Sequence, residues 1–290
     1  MKFLHLSDLH VEDGFDRVPM SALLNKRLVG LGNLWLRRRR LYRDAPQKIE
    51  QLTELARELR PDFVVITGDF TALGTEGEMR LARRLLDPLF EIADPIVMPG
   101  NHDVYLRDGG DERFEAIFGE ALRCDLGRTS FPRVRLADGF AFISFESARP
   151  NPEPWLSSGA VPETQLRALR SLRDRPELRD RRIVFATHYA PFLEDGTPDH
   201  ARHGLDNREE LLDVLEYFPG ALFLHGHVHR RFHLHVPELK MDFFCSGSST
   251  MKGHEGFFFY EMGASGGRVT PGSFLDGSAM LEEENAIILR

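Results

Sequence analysis

Cysteine is nearly absent from this 290-residue chain: Cys124 and Cys245 are the only two, far apart and without CxxC spacing. That excludes a disulfide framework. It fits a reducing compartment, with a single bridge between the two left open. No apolar run approaches the roughly 18 residues that span a bilayer. Positive charge is in deficit, 37 Lys and Arg against 45 Asp and Glu for a net charge of −8, so no stable nucleic-acid binding is expected. No small-residue cleavage site follows the opening "MKFLHLSDLH", and if positions 8 and 10 carry function that segment cannot be removed. The expected location is the cytoplasm. Internal repeats and low-complexity tracts are also missing.

What is present suits one α/β domain over residues 1–290, with 42% apolar residues available for a core. Short strands are expected at "KFLHLS", "DFVVITGDF", "PIVMPGNHD", "RIVFATHYAP" and "ALFLHGHVH". Helical spacing marks "PQKIEQLTELAREL", the run from Glu76 to Glu91, "VPETQLRALRSLR" and "REELLDVLEYF". "VRLADGFAFISFE" reads as a hairpin turning at Asp138-Gly139. The stretch from Gly263 is rich in Gly and Ser, and reads as a C-terminal tail (263–290), mobile until "LEEENAIILR".

Histidine is the conspicuous residue. "LFLHGHVHRRFHLH" places it at 225, 227, 229, 233 and 235. On a strand these would share one face. That pattern fits a polar outer face or a metal site, since neutral imidazole is the commonest protein metal ligand. The wider chain adds weight to the second reading. Asp8 and His10, Asp69, Asn101 and His102, His188, and His227 and His229 each fall at or just past the carboxyl end of an expected strand. In α/β sheets that edge is where ligands bind.

The ordered motifs "DLH", "GD", "GNHD", "TH" and "GHVH" resemble the calcineurin-like metallophosphoesterases, most closely the bacterial phosphodiesterase branch. The resemblance implies a four-layer fold, a β-sandwich flanked by helices, with two divalent metal ions at the strand ends. One ion would be held by Asp8, His10, Asp69 and His229, the other by Asp69, Asn101, His188 and His227. Such an N/O donor set suits Mn or Fe, with Zn as a further option. Two such ions activate water and clamp a phosphoryl group. The resemblance also makes His102 the non-ligand imidazole that stabilises or protonates the leaving oxygen, with Asp103 orienting it. His225 reads as packed near the site, His233 and His235 as surface-strand residues, and His5 as a core histidine. His200, His203 and His254 have no assignment.

One segment falls outside these motifs. Between "DLH" and the first long helix, residues 14–45 form a helical insert containing "MSALLNKRLVGLGNLWLRRRRLYR". Leu23, Leu24, Leu28, Leu31, Leu34 and Trp35 make one apolar face, opposite Lys26, Asn33 and Arg37. This is either an ordinary amphipathic helix pair or a cap beside the site, able to contact an anionic membrane through residues 20–43. In the second case Arg37, Arg38, Arg39 and Arg40, with Tyr105, are candidate substrate contacts. Three phosphate-ester substrates fit: a cyclic nucleotide or other small phosphodiester; a lipid-linked pyrophosphate such as UDP-diacylglucosamine, hydrolysed at the inner face of the membrane; and, least well, nucleic-acid ends. The competing class is a non-catalytic metal-binding scaffold.

Overall fold

The computed structural model describes residues 1–14, 39–104, 106, 108–151, 153, 155–263 and 266–289, with Arg39 described in its backbone only. Most of the insert, Arg37, Arg38 and Tyr105 therefore lie outside the described residues.

The first sheet contains β1 (Lys2–Leu6), β2 (Phe63–Ile66) and β3 (Asp94–Val97), paired in parallel. The second contains β4 (Arg133–Ala137), β5 (Phe140–Ser144), β6 (Arg182–Ala186), β7 (Leu222–His225), β8 (Arg231–Val236) and β9 (Met241–Ser246), in the order β4-β5-β6-β7-β9-β8. Its centre, β5, β6, β7 and β9, is parallel. Strands covered on both sides read as unbroken apolar runs, and all residues of "FVVI" and "LFLH" are buried. The β4–β5 hairpin turns at Asp138 and Gly139 as expected, Ala137 pairing with Phe140.

Alternation along the second sheet builds two cores. Phe142, Val184, Ala186, Leu222, Leu224 and Phe244 face the first sheet, where the Phe142 ring meets Phe3 edge-on at 5.2 Å. Ala141, Ile143, Phe185, Phe223 and Phe243 face outward instead. They pack beneath two helices, α5 (Glu163–Leu172) and α6 (Arg208–Leu215). The first sheet is covered by α2 (Ala45–Leu59) and α3 (Glu76–Phe90) through Ile49, Leu52, Ala82, Leu86 and Leu89. Burying each of the leucine and isoleucine side chains contributes about 1.5–3 kcal/mol. Helix α3 opens on a capping box: Thr75 Oγ1 accepts from Glu78 N at 3.2 Å and Glu78 Oε2 accepts from Thr75 N at 3.1 Å. Two further helices are α1 (Arg39–Tyr42) and α4 (Gly110–Phe118), the latter not expected from the sequence.

Two expectations are corrected. The supposed mobile tail continues the first sheet. β10 (Phe257–Gly263) pairs β1, β11 (Gly266–Leu275) pairs β10, and β12 (Ser278–Leu281) and β13 (Ile287–Leu289) both pair β11. Glycine and serine blur the two-residue alternation that marks a strand, but the aromatic run of β10 supplies a partner for the ladder.

The histidine segment is not one extended strand. β7 ends at His225 and β8 begins at Arg231. Between them His227 and His229 have φ of 70° and 56°, and Asp8, His10 and Asp69 have φ of 53°, 45° and 56°. Left-handed backbone, rather than strand pleat, brings each D-x-H and H-x-H pair together. Such conformations are uncommon outside glycine and persist where the surroundings over-determine them, typically at functional sites. Here the DLH loop is laid against the Gly-Asp loop by Asp8 N donating to Gly68 O at 3.0 Å and His10 N to Asp69 O at 3.0 Å. His233 and His235 do lie on edge strand β8, where both face Asp242 Oδ1, at 2.8 and 3.0 Å.

Candidate metal centre

Five strand ends meet at one place. The loops after β1, β2, β3, β6 and β7 bring Asp8, His10, Asp69, Asn101, His188, His227 and His229 together, and all but His229 are buried. In the first cluster His229 Nε2 lies 2.9 Å from Asp8 Oδ1, and His10 Nε2 lies 3.7 Å from the same oxygen. The two imidazole nitrogens are 3.1 Å apart. Ligand atoms of Asp8, His10, Asp69 and His229 all fall within 4.8 Å of one another. Tetrahedral ligands on bonds of about 2.1 Å sit roughly 3.4 Å apart, so these residues fit a single divalent cation.

The second cluster shares Asp69. Its Oδ2 stands 3.7 Å from His10 Nε2 and 3.5 Å from His188 Nε2. Asn101 Oδ1 lies 3.0 Å from His188 Nε2 and 3.0 Å from His227 Nδ1. The opposite ring nitrogens are committed to carbonyls: His188 Nδ1 donates to Thr67 O at 2.7 Å and His227 Nε2 to His203 O at 2.9 Å. Each bond selects the tautomer whose other nitrogen can bind a cation. Burial pushes His188 and His227 below the ordinary imidazole range, keeping them neutral. Burial works to raise the Asp8 carboxyl, but His229 and His10 outweigh it and hold it well below its usual range. A neutral imidazole at His188 and His227 and an ionised carboxylate at Asp8 are the states a divalent cation requires.

Glycine makes the close approach possible. A Cβ on Gly226 would collide with Ser7 Oγ and Asp8 Oδ2, and one on Gly100 would collide with Asp69 Oδ1. The main chain of His227 then donates to Asp8 Oδ2 at 3.0 Å.

A family profile described as calcineurin-like phosphoesterase matches residues 1–231. The chain belongs to that family. It is a metal-dependent phosphoesterase of a class that uses two divalent ions. Among solved structures, a dimetal phosphatase from Danio rerio is similar at 16% identity and a TM-score of 0.62, covering 97% of this chain and 98% of that one. A purple acid phosphatase from yellow lupin (Lupinus luteus) seeds is similar at 12% identity and a TM-score of 0.62, covering 97% of this chain and 52% of that one. Both likenesses speak to the fold. No curated protein sequence matches the chain.

Within this phosphoesterase, the residues expected from the sequence are placed unequally. The His102 ring meets His10 edge-on at 4.7 Å, and its Nδ1 donates to Ala72 O at 2.5 Å. Asp103 does not orient it. The Asp103 carboxylate instead accepts from Phe70 N at 3.2 Å, Thr71 N at 3.0 Å and Gly100 N at 2.9 Å, and from the Thr71 hydroxyl at 2.9 Å. It braces the loops that carry Asp69 and Asn101, and burial raises its pKa to about 6. His225 is packed between Phe223 and Phe232 and pushed down to about 4 by burial. His5 is a core residue 3.0 Å from Thr67 Oγ1. Cys124 and Cys245 are both free. Arg40 is exposed on α1.

Other contributors have no motif to betray them. The loop after β9 clamps the DLH loop: Ser248 Oγ donates to Asp8 O at 2.6 Å, Thr250 Oγ1 to Leu9 O at 2.7 Å and Ser249 N to Ser7 O at 2.8 Å. Tyr42, at the end of α1, is buried against His10 with ring centroids 4.6 Å apart. The loop holding Asp199 and His203 closes over His227, the His203 ring stacking on it at 4.0 Å.

Proposed function

We propose that the protein hydrolyses a small phosphodiester, a cyclic nucleotide or a similar ester, with Asp8, His10, Asp69 and His229 holding one divalent ion and Asp69, Asn101, His188 and His227 the other. The observation that carries this reading is the position of Asp69 Oδ2 between His10 Nε2 and His188 Nε2, at 3.7 and 3.5 Å. One carboxylate reaching both clusters fits a bridge. Bound there, Mn or Fe, or Zn, would lower the pKa of water and offset charge on the phosphoryl oxygens. The chain's own groups do the rest. The two carboxylates and the imidazoles fix where charge accumulates, and His102, its Nδ1–H committed to Ala72, presents its other nitrogen to the leaving oxygen. The test is metal stoichiometry together with turnover of bis-p-nitrophenyl phosphate. Two ions per chain and metal-dependent turnover are expected. Two ions without turnover of any phosphate ester would favour the scaffold alternative.

A second reading, a lipid-linked nucleotide pyrophosphate as substrate, is favoured by Tyr42. Its packing on His10 sets the end of the basic, amphipathic insert at the metal-bearing edge. No described helix is long and apolar enough to cross a membrane, so contact would be peripheral. Replacing Arg37 to Arg40 with alanine should weaken binding to anionic vesicles by about 1 kcal/mol per charge, less at high salt. Deleting residues 20–43 should spare a chromogenic diester and abolish turnover of the lipid substrate. Absence of vesicle binding at low salt would leave the first reading alone.

A further inference from the structure

The geometry points to Asp199 and His203 as the positioning pair for His227, and so as the device that sets affinity at one of the two metal positions; this rests on the ligand reading above. The His227 ring is sandwiched, with the Tyr189 centroid 3.9 Å away on one contact and the His203 centroid 4.0 Å away, inclined at 28°, on the other. The stack limits tilt. The tautomer is set by the main chain of His203, whose carbonyl accepts from His227 Nε2 at 2.9 Å. With the proton on the other nitrogen, a lone pair would face that carbonyl and an N–H would face Asn101 and the cation. His203 thus controls both the direction and the protonation pattern of a metal ligand.

Asp199 in turn holds His203. Its Oδ2 accepts from His203 Nδ1 at 2.5 Å, while its Oδ1 accepts from His200 N at 2.6 Å. His203 N and Gly204 N both donate to His200 O, at 2.7 and 2.8 Å. The carboxylate pegs a tight turn that aims the His203 carbonyl and sets the His203 ring on His227. Ser157 N to Arg202 O at 2.9 Å and Gly159 N to Gly204 O at 3.0 Å moor this turn to the neighbouring loop. The other ligand histidines differ. His188 and His10 lean on carbonyls of Thr67 and Thr71, deep at the end of β2, whereas the side chain of His203 is 44% exposed. Of the two imidazoles at that metal position, His188 is therefore fixed by the buried loop after β2 and His227 by a surface turn.

The test is titration of the full-length protein with Mn²⁺, by calorimetry and by chelator competition. Wild type should bind two ions per chain; fewer would refute the ligand reading itself, and this inference with it. Given two, Asp199→Ala and His203→Ala should weaken one site by about 10- to 100-fold and leave the other unchanged. Asp199→Asn, whose amide oxygen can still accept from the imidazole, should recover most of the loss. At saturating Mn²⁺ kcat and KM for a chromogenic diester should return to wild-type values. Two unchanged sites would overturn the proposal. So would equal weakening of both sites with a fall in Tm, which marks a general loss of structure. Unchanged metal affinity with a raised KM would make His203 a substrate contact instead. Ligand atoms of Asp199, His203 and His227 lie within 4.8 Å of one another, so loss of a third ion in the variants would make the pair ligands and also overturn the assignment.

Discussion

The main-chain N–H of His102 donates to Asp69 Oδ1 at 2.7 Å. That bond ties the loop after β2 to the loop after β3, and it leaves Oδ2 as the oxygen turned to His10 and His188. A carboxylate held at one oxygen and shared at the other should be the residue that neither metal position can spare. Asp69→Ala is expected to lose both ions, while His10→Ala chiefly weakens one. Metal analysis after dialysis distinguishes them. Two ions retained at wild-type affinity in Asp69→Ala would remove the bridge.

His102 should act without holding metal. Its Nδ1–H is committed to Ala72 O, which fixes the ring beside His10. His102→Ala is expected to keep both ions and lose on the order of 10²–10⁴ in rate, most for esters with poor leaving groups, since p-nitrophenolate departs without a proton. The slope of rate against leaving-group pKa is the measurement. A loss uniform across leaving groups would point to binding rather than proton donation.

Gly226→Ala should damage the centre without replacing any ligand residue. The added Cβ would occupy the place of Ser7 Oγ and Asp8 Oδ2, both in buried residues. Displacing them should cost about 1–3 kcal/mol of stability, as overpacking does, and should lower affinity at the Asp8 position. Thermal melts and metal titration check both effects. A variant with wild-type Tm and full metal content would show that the approach is not as tight as the geometry implies.

Glu78 should give the fold a pH dependence of its own. Burial raises its carboxyl from 4.5 to about 7, although hydrogen bonds from Thr75 and Leu73 pull the other way. The folded pKa lies above the unfolded one, so the native state binds more protons in that window. Stability should fall as pH rises from about 4.5 to about 7, by roughly 3 kcal/mol from this group. Glu78→Gln, which cannot ionise, should flatten the slope of unfolding free energy against pH there. An unchanged slope would mean that Glu78 ionises without cost.

The parts of this molecule that could be read from sequence are those fixed by local pattern. Apolar runs such as "FVVI" and "LFLH" are followed within a few residues by Asp69 and by His227 and His229, and those residues do sit at the shared edge. What escaped depends on partners distant in the chain. Strand β11 carries too much glycine to alternate and forms against the ladder of β10, while the short β12 and β13 form against β11. The pairing of Asp8 with His10, and of His227 with His229, looks like strand periodicity but comes from left-handed backbone, which leaves no compositional trace when the residue is not glycine. Asp103 sits beside His102 in the sequence and was expected to serve it, yet its oxygens are occupied by main-chain donors. Tyr42 at a helix end, and His203 and Ser248 to Thr250 in loops, are ordinary residues, and only the folded chain brings them to the site.

The clamp formed by Ser248, Ser249 and Thr250 also bears on synthesis. Every candidate ligand has been made by His229, yet the hydroxyls that hold the Asp8 and Leu9 carbonyls, and strand β10 that covers the open side of β1, come later. A nascent chain stalled near residue 231 would carry all seven candidate ligands with the first loop unfastened. Loading of metal should then wait until the segment from Ser248 through β10 has been made and has folded onto the first loop.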